Sequence, residues 1–502
     1  MTRDFLILYV NGQRLEIRGE RAFQSLSDFL RYDLRLTGTK VVCAEGDCAS
    51  CTVLIGRASR NGDIDYCTVA ACIQFLFQLD CTHIVTIEGL KYDGQLNPVQ
   101  EAMVREHGVQ CGFCTPGFVV SLHALLENAA RRDEASLRRG LSGNLCRCTG
   151  YEPILRAALA TDLTRMRRVD ALYPPASMSE DFAAHATESV EIVAGSKRFL
   201  KPVSIEAAAG FRAEHVGCAI VTGGTDYGVQ VNKGLRTPEA IVSTSALPGF
   251  LDHSMTNGVW SIGGGVTLAT LEREGATVLP QLAEMLDRFG SIQIRNAGTL
   301  AGNVANGSSI GDTLPLLFVL DAEIELAGPS ETRRVKISDF YIGYRQNVIR
   351  ADELITRVLI TLPPENNILR LYKISKRRDL DISSFTAAFY LERAGDSLGD
   401  VRIAYGGVGP TVIRLLNTEA FLCGKLLTFA TFAAASQHVR EDIAPISDVR
   451  GSAEYRYLLA SNILLKLAVD LGLAPEGGHG QAHSPPHGNG HARLDAAREV
   501  AR

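Results

Sequence analysis

The stretch VVCAEGDCASCTV, residues 41–53, places three cysteines within nine residues: Cys43, Cys48 and Cys51. The spacing C-x4-C-x2-C is the plant-type arrangement for a [2Fe–2S] cluster, which takes a fourth cysteine from farther along the chain. The candidates for that fourth ligand are Cys67 and Cys72. A zinc site more often carries two C-x2-C pairs. The stretch therefore favours an iron–sulfur site over a zinc site.

The segments around this stretch predict a small ferredoxin-like domain. FLILYVNGQRLEIR, residues 5–18, contains two apolar strands joined at Asn11-Gly12, which is a strong hairpin signal. SLSDFLRYDL, residues 25–34, has helical periodicity. The segment CTVLIG after the third cysteine is typical of a strand. A hairpin, a helix, a cysteine loop and a further strand therefore precede the candidate fourth ligand.

Length, charge and cysteine usage restrict the class of protein. A chain of 502 residues is long enough for several domains. The net charge of −5 and the lack of a basic tract argue against a nucleic-acid surface. The N-terminus has no signal-peptide pattern, and no apolar run is long enough to span a membrane, so we expect a soluble cytoplasmic protein. Ten of the 12 cysteines lie in the first 148 residues, and clustered thiols in a reducing compartment usually bind metal.

A second group of thiols follows the first. QCGFCTPGF contains Cys111 and Cys114, and GNLCRCTGYEP contains Cys146 and Cys148. A helix is expected after Cys114, since threonine and proline suit its first turn, and another is expected from Pro153. The spacing of these four thiols is compatible with zinc and with iron–sulfur. The four remaining cysteines are interpreted as buried thiols: Cys67, Cys81, Cys218 and Cys423.

The second half of the chain is rich in glycine. Residues 166–196 have weak periodicity and are interpreted as a partly ordered linker. Neither G-x-G-x-x-G nor a P-loop motif occurs in the chain, so these motifs give no support for a Rossmann dinucleotide site or a P-loop phosphate site. Glycine-rich segments form tight turns, and they also let backbone N–H groups approach a pyrophosphate. The tail 471–502 is expected to be disordered despite four regularly spaced histidines, because prolines and glycines oppose a helix.

The cysteine motifs closely resemble the iron–sulfur region of the molybdenum hydroxylases. The resemblance rests on CAEGDCASCTV, VAACIQFL, QCGFCTPGFVVSLHALL and GNLCRCTGYEPIL. It implies a first [2Fe–2S] cluster on Cys43, Cys48, Cys51 and Cys72, with Cys72 rather than Cys67 as the fourth ligand. It implies a second [2Fe–2S] cluster on Cys111, Cys114, Cys146 and Cys148. The resemblance also places Gln110 near the pterin of a molybdenum centre.

The glycine-rich segments resemble the FAD-binding domain of the same family. VTGGTD, AGTLAGNVANGSSIGD, YRQN and YKISKRRDLDISS carry this second resemblance. The FAD contacts that it implies are Val221, Thr222, Gly223, Gly224, Thr225, Asp226, Tyr227, Phe289, Thr299, Leu300, Ala301, Gly302, Asn303, Asp312, Ile355 and Lys373. It implies that NAD⁺ approaches at Tyr344. At the position where the animal enzymes place an acidic residue facing the flavin, this chain has Leu380, between Asp379 and Asp381.

The two resemblances imply an α+β multidomain protein. The expected parts are a β-grasp [2Fe–2S] ferredoxin-like domain over 1–90, a four-helix-bundle [2Fe–2S] domain over 91–165, the linker over 166–196, an α+β FAD-binding domain over 197–365, a C-terminal α+β flavoprotein subdomain over 366–470, and the tail. A molybdopterin domain is expected on a separate chain.

The resemblance further implies an electron-transfer role. Because iron–sulfur and flavin regions share one chain, the sequence looks most like the small subunit of the bacterial xanthine dehydrogenase branch. Electrons would pass from a large molybdopterin-binding partner through both clusters to FAD and on to NAD⁺, in an α2β2 heterotetramer. The alternatives are the same relay oxidising an aldehyde or N-heterocycle, oxygen as the acceptor, or a zinc-stapled binding protein without enzymatic activity.

Overall fold

The computed structural model of the chain describes residues 2–59, 61–128 and 132–474. The N-terminal part contains β1 (Thr2–Arg3), β2 (Phe5–Val10), β3 (Gln13–Arg18), α1 (Leu26–Asp28), β4 (Thr52–Ala58), β5 (Ile64–Ala70) and β6 (Thr82–Val85). Strands β2 to β6 form a mixed sheet in the order β3-β2-β6-β4-β5. The expected hairpin joins β2 and β3, and Asn11 and Gly12 have φ values of 48° and 83°. Positive φ at both central residues is what a two-residue hairpin turn requires.

A helical domain follows this sheet. It contains α2 (Pro98–Arg105), α3 (Thr115–Glu127), α4 (Glu134–Gly140) and α5 (Glu152–Ala160). Proline lies in the first turn of α2, α3 and α5, where its missing N–H has no intrahelical partner to lose. The apolar faces meet in one buried cluster that includes Val99, Phe118, Leu122 and Ile154. The loops at the ends of α3 and α5 carry the second group of thiols.

The stretch expected to be a linker is folded. It contains α6 (Val169–Leu172), α7 (Ala176–His185) and β7 (Ser189–Ala194). Met178 and Phe182 of α7 are buried against the first sheet, where the rings of Phe182 and Tyr9 lie 5.6 Å apart. Residues at i and i+4 lie on the same face of a helix, so this apolar pair buries one face of α7. Such a pair gives little periodicity, which is why the sequence pattern underestimated the order of this stretch.

The flavin half begins with a mixed sheet. Its elements are β8 (Lys197–Lys201), α8 (Ile205–Glu214), β9 (Ala219–Val221), α9 (Thr225–Asn232), β10 (Ala240–Ser243), β11 (His253–Thr256), β12 (Val259–Gly263), α10 (Leu268–Val278), α11 (Pro280–Asp287), α12 (Ile292–Arg295), α13 (Leu300–Asn306), α14 (Leu314–Val319), β13 (Glu323–Ala327), β14 (Thr332–Lys336), α15 (Ile337–Phe340), β15 (Tyr341–Gly343), β16 (Gln346–Asn347) and β17 (Leu354–Thr361). One sheet has the order β1-β7-β8-β10-β9, and the next has the order β11-β12-β17-β13-β14. The N-terminal strand β1 therefore belongs to a sheet of the flavin half.

The C-terminal part packs helices on an antiparallel sheet. It contains β18 (Ile368–Ile374), β19 (Phe385–Ala394), β20 (Ser397–Gly406), β21 (Ile413–Arg414), α16 (Leu416–Leu422), α17 (Phe429–Ala435), α18 (Val439–Asp442) and α19 (Ala453–Asp470). The tail expected to be disordered lies outside the described residues from 475 onward. Within the ranges that the structure describes, no helix combines the length and the apolar character needed to cross a membrane.

A shared core joins the ferredoxin-like sheet to the flavin half. Phe77 lies 5.3 Å from Phe199 and 6.0 Å from Tyr227, measured between ring centroids. Buried side chains of both sheets belong to the same apolar cluster. Burial of large aromatic side chains is a major stabilising contribution to such an interface. The cysteine loop and the flavin half are therefore held in fixed relative positions.

A buried ionic network reinforces this junction. Asp80 is paired with Arg3 at 2.8 Å and with Lys201, and its side chain is only 1% exposed. Its carboxylate also accepts a hydrogen bond from the Ile7 backbone N–H at 2.8 Å. Burial disfavours the charged form of Asp80, but Arg3 and Lys201 outweigh it and hold the pKa of this carboxyl below its usual value. Asp80 therefore links β1, the first sheet and β8 through one charge.

Replacing Asp80 with asparagine is expected to lower the free energy of unfolding by about 3–5 kcal/mol, because Lys201 is left buried without a counter-charge and Arg3 keeps only Glu188, at 2.6 Å. Differential scanning calorimetry should show the first thermal transition at a lower temperature. The matched control is Asp181→Asn, whose ion pair with Arg14 at 2.8 Å is more exposed. That loss should stay near or below about 1 kcal/mol. Equal effects of the two variants would contradict the importance of the Asp80 network.

Candidate functional site: two thiol groups and a flavin cradle

The first thiol group forms where β4 and β5 meet the cysteine loop. Thr52 pairs with Ala70, so the residues just outside this pair, Cys51 and Cys72, are brought together. The Ala71 N–H donates to the Cys51 carbonyl at 3.2 Å, and the Cys72 N–H approaches the Cys51 sulfur at 3.5 Å. Cys67 instead lies opposite Ile55 in the middle of the strand pair. The strand register thus selects Cys72 as the thiol that faces the loop.

The thiols of this group lie in contact with one another. Cys43 contacts Cys48 and Cys72, and Cys51 contacts Cys72. The neighbouring thiols of Cys48 and Cys72, with the Glu45 N–H at 3.5 Å, lower the pKa of Cys43. A lowered pKa favours the thiolate, which is the form that binds metal. The contact with Cys43 raises the pKa values of Cys48 and Cys72 in turn, so it is the mutual contact of the four sulfurs that suits this group to hold iron.

The backbone of the cysteine loop turns N–H groups toward these sulfurs. Ala44, Gly46 and Ala49 all have positive φ, at 57°, 78° and 53°. Alternation of right- and left-handed backbone forms a concave nest of N–H groups that suits anions, including iron–sulfur clusters. Alanine rarely adopts this conformation, so the loop is held in place by its surroundings. The residues present fit a [2Fe–2S] cluster.

The second thiol group lies at the ends of α3 and α5. The sulfurs of Cys111 and Cys148 are 3.4 Å apart and both residues are exposed. Cys146 is buried and contacts Cys114. Burial opposes ionisation of Cys146, but the hydroxyl and N–H of Thr149 outweigh it and lower the pKa of this thiol. One face of this group is open to solvent.

Contacts between thiols connect the members of each group. Within residues 2–59, 61–128 and 132–474, no three His, Cys, Asp or Glu side chains surround a position suited to one metal ion. In the first group, Cys72 contacts both Cys43 and Cys51. In the second group, Cys111 contacts Cys148, and Cys114 contacts Cys146. A [2Fe–2S] cluster divides its four ligands between two irons. Four cysteine thiols in each group supply the number and the type of donors that such a cluster takes.

The two thiol groups touch through backbone. The Leu145 N–H donates to the Cys48 carbonyl at 3.2 Å. Gly117 lies against the same loop, since a Cβ added there would be 2.1 Å from the Ala49 oxygen. Only glycine, which has no Cβ, therefore allows helix α3 to lie this close to the cysteine loop. The exposed second group and the more buried first group are direct neighbours.

The two glycine-rich segments of the flavin half form one cradle. Strand β9 ends at Val221, and the backbone then turns through Gly224, with φ 68°, into α9. A Cβ on Gly223 would lie 1.9 Å from the Ala297 oxygen, so the two segments are in van der Waals contact. Thr299 caps α13 by accepting a hydrogen bond from the Gly302 N–H at 3.0 Å. The open backbone here suits a diphosphate, and the residues present fit FAD.

A buried polar network lies beside this cradle. Lys373 of β18 and Asp312 form an ion pair of 2.6 Å, with side chains 3% and 7% exposed. Ser383 donates to the other oxygen of Asp312 at 2.5 Å. Buried charges of this kind occur where they are paired and hydrogen-bonded. The network joins the two flavin-half domains at one carboxylate.

The other expected flavin residues are distributed around the same region. Ile355 is buried in β17, and Phe289 is half-buried against the same core. Leu380 is buried and has a φ of 55°, which is strained for leucine. Tyr344 is 60% exposed, with the Arg345 guanidinium 5.9 Å from its ring. Leu380 is apolar, so it supplies no charge at the position where the animal enzymes have an acidic residue.

The cradle and the first thiol group are directly connected. The Asn232 side-chain amide, at the end of α9, donates to the carbonyls of Cys72 and Ala44, each at 2.8 Å. Gly228 lies against Ile73, where a Cβ would be 2.5 Å from the Ile73 oxygen. Helix α9 thus begins in the first glycine-rich segment and ends on the cysteine loop. Eight residues of helix span about 12 Å.

Sequence reasoning missed the residues that join domains. Asn232 and Ser383 carry no motif of their own, because their partners lie far away in the chain. The expectation of four buried thiols outside the two groups was wrong for Cys423, which is exposed, and Cys67, Cys81 and Cys218 are only half-buried. Ser383 does lie within YKISKRRDLDISS, and its position in a polar run was the available signal.

Three family profiles match successive parts of the chain. A "[2Fe-2S] binding domain" matches residues 86–159, an "FAD binding domain in molybdopterin dehydrogenase" matches 190–363, and a "CO dehydrogenase flavoprotein C-terminal domain" matches 370–471. The first of these matches contains the second thiol group, and the second contains both glycine-rich segments of the cradle. The chain thus carries a [2Fe–2S]-binding domain, an FAD-binding domain and a flavoprotein C-terminal domain.

Curated proteins and a solved structure are also similar to this chain. Xanthine dehydrogenase 2 of Arabidopsis thaliana is 28% identical over 92% of this chain and 39% of its own length. Xanthine dehydrogenase of Drosophila subobscura is 29% identical over 94% of this chain and 40% of its own length. The chain therefore spans about two fifths of the curated relatives it matches. A reconstituted CO dehydrogenase structure from Oligotropha carboxidovorans is 28% identical, with a TM-score of 0.52 over 56% of this chain and 98% of that one. Together with the thiol groups and the flavin cradle, these matches show a chain with [2Fe–2S]-binding and FAD-binding domains that is similar to parts of xanthine dehydrogenases and to a CO dehydrogenase chain.

Proposed function

We propose that this chain is the electron-transfer subunit of a xanthine dehydrogenase. A partner chain would hold molybdopterin and oxidise hypoxanthine or xanthine to urate. The names of the plant and fly relatives support this substrate class, and their alignment with more than nine tenths of the chain supports a shared relay. The same relay would serve a different substrate if the partner carried a different pocket.

The serial order of contacts carries the proposal. The exposed group of Cys111 and Cys148 touches the first group through Leu145 and Cys48, at 3.2 Å. The first group touches α9 through Cys72 and Asn232, at 2.8 Å. The sites therefore lie in the order outer thiols, inner thiols, flavin cradle. An order of this kind is what single-electron transfer toward a flavin needs.

The chain's residues have distinct tasks in this relay. When bound, the [2Fe–2S] clusters carry single electrons, and FAD collects them in pairs for transfer to NAD⁺. The proposed ligands of the inner cluster are Cys43, Cys48, Cys51 and Cys72, and those of the outer cluster are Cys111, Cys114, Cys146 and Cys148. The glycine-rich segments would bind the FAD diphosphate, and Asp312 and Lys373 would orient its polar chain. Tyr344, exposed on the β15–β16 hairpin, lies open for the approach of NAD⁺.

The surface around the outer thiols suits a partner subunit. Val109, Phe113 and Tyr151 are 37%, 55% and 37% exposed next to the exposed thiols in sequence. Contiguous exposed apolar surface often marks a protein interface, and we propose that these three side chains contribute to one. Gln110 is exposed beside Cys111, where it would meet the pterin. We propose that a large molybdopterin subunit covers this surface, in an α2β2 assembly.

The order of the relay can be tested in reverse, with NADH as the electron donor. Its electrons should enter at the flavin and then reach the inner cluster before the outer one. In the Cys43→Ser variant, NADH should no longer reduce the outer cluster, while dithionite should still reduce it. In the Cys148→Ser variant, NADH should still reduce the inner cluster. Electron paramagnetic resonance of the reduced clusters, recorded after rapid freezing, measures both results.

The wild-type holoprotein with its co-purifying partner is the control. It should contain about four irons and one flavin per chain, and NADH should reduce both clusters. Zinc without flavin would refute the relay and favour a binding protein. Reduction of the outer cluster by NADH at the wild-type rate in Cys43→Ser would refute the proposed order.

A further inference from the structure

A network of buried amides lies where the flavin half meets both iron–sulfur domains. Gln293 of α12 is 1% exposed. Its amide nitrogen lies 3.2 Å from the Ser121 hydroxyl of α3 and 3.3 Å from the Asn144 side-chain oxygen. Asn144 is 2% exposed, and its own amide nitrogen lies 3.4 Å from the Ala49 carbonyl. The network thus runs from the flavin half through the helical domain into the inner cysteine loop.

The network is tightly packed and incompletely satisfied. The side-chain oxygen of Gln293 is buried and has no hydrogen-bond partner among the described residues. An unpaired buried acceptor typically costs about 1–3 kcal/mol and calls for an explanation. A Cβ on Gly143 would lie 2.2 Å from this oxygen, so only glycine fits there. Gln293 is therefore placed here at a cost to stability.

The network also sits between the two thiol groups. Asn144 lies two residues before Cys146, and Ala49 follows Cys48 directly. The Ala49 carbonyl accepts further hydrogen bonds from the Thr52 hydroxyl at 2.6 Å and the Thr52 N–H at 3.2 Å. This carbonyl is thus fixed by the first sheet on one side and by Asn144 on the other. A change at Asn144 would shift one thiol loop relative to the other.

We propose that Asn144 and Gln293 are positioning residues that set the separation between the two clusters. The proposal rests on the electron-relay function above. Neither side chain is a proposed ligand. Asn144 ties the outer loop to the inner loop, and Gln293 fixes Asn144 from the flavin half. Because electron transfer slows steeply with distance, a small displacement at this bridge changes the rate between clusters while the cofactors stay bound.

The magnetic interaction between the two reduced clusters reports their separation directly. Dipolar coupling between unpaired electrons falls with the inverse cube of their distance. In the fully reduced holoprotein, Asn144→Asp and Gln293→Leu should each alter the coupling, with iron and flavin contents unchanged. Asn144→Asp keeps the shape but cannot donate to Ala49, and Gln293→Leu keeps most of the volume but cannot donate to Asn144. The double variant should change the coupling no more than the larger single effect, because coupled partners are non-additive.

Asn97→Ala is the matched control. Asn97 is fully buried in the same domain, caps α2 and donates to the Leu90 carbonyl at 3.1 Å. Its loss should lower thermal stability without changing the coupling. If the Asn144 and Gln293 variants lower stability as Asn97→Ala does and leave the coupling unchanged, the bridge is only structural and the proposal is wrong. If Asn144→Asp does not fold, Gln293→Leu decides alone. Wild-type protein lacking two cluster signals would refute the relay itself, and the two failures are thereby distinguished.

Discussion

Replacing Cys72 with alanine is expected to abolish one of the two reduced-cluster signals and about half of the iron, roughly two atoms per chain. Cys72 is 2% exposed and contacts both Cys43 and Cys51, so its loss removes one of the four inner thiols. Alanine offers no replacement donor. Iron content and electron paramagnetic resonance of the reduced protein measure the two losses.

Cys67→Ala is the matched control for this variant. Cys67 is a cysteine of the same β5 region, five residues earlier, and it lies opposite Ile55 rather than next to the loop thiols. Its removal deletes the same atoms and should leave about four irons and both signals. Loss of the inner signal in Cys67→Ala, together with its survival in Cys72→Ala, would reverse the ligand assignment. The outer signal should persist in both variants and shows that the chain has folded.

Replacing Asp312 with asparagine is expected to cause loss of FAD and a large loss of stability in the flavin half. The substitution leaves the Lys373 ammonium buried without its partner at 2.6 Å. Breaking a buried ion pair on one side costs about 3–5 kcal/mol. Flavin content after gel filtration and the thermal transition of the flavin half measure the two effects. Iron content should remain at about four per chain, because both thiol groups lie in other domains.

A double variant separates the two roles of Asp312. With Asp312→Asn and Lys373→Met combined, no unpaired charge remains buried, so stability should recover relative to the single variant. FAD should remain absent if the two side chains contact the cofactor. Recovery of both stability and FAD would show that the pair is only structural. Asp400→Asn is the control for the loss of stability. Its ion-pair partner Arg402 keeps a second partner, Asp321, at 2.6 Å, and Asp400 and Arg402 are both more exposed than Asp312 and Lys373.

The local chemistry of this protein was readable from its sequence. The spacing of Cys43, Cys48 and Cys51 encodes one loop, and Asn11-Gly12 encodes one hairpin, because each involves only neighbouring residues. The helices that follow Cys114 and begin near Pro153 were likewise marked by residues suited to helix starts. The spacing alone left Cys67 and Cys72 open. The resemblance favoured Cys72, and the register of β4 against β5 places that thiol at the loop.

The sequence was least informative where order depends on docking. Residues 166–196 have little periodicity, yet α7 is fixed by two side chains buried against the first sheet. Strand β1 is only two residues long and is completed by pairing with β7, far along the chain. A short element of this kind has no pattern to detect, since its stability comes from tertiary contacts.

The sequence by itself determined which thiols and glycine-rich turns this chain has, because loop spacing and backbone freedom are local properties. Only the tertiary structure decided how these sites follow one another. The amide of Asn296 reaches the Thr68 carbonyl at 2.8 Å across 228 positions of sequence, and Asn232 reaches Cys72 across 160. Contacts at such separations depend on the packing of whole sheets and helices, so no local pattern specifies them. The order from outer thiols to inner thiols to flavin cradle is therefore a property of the fold.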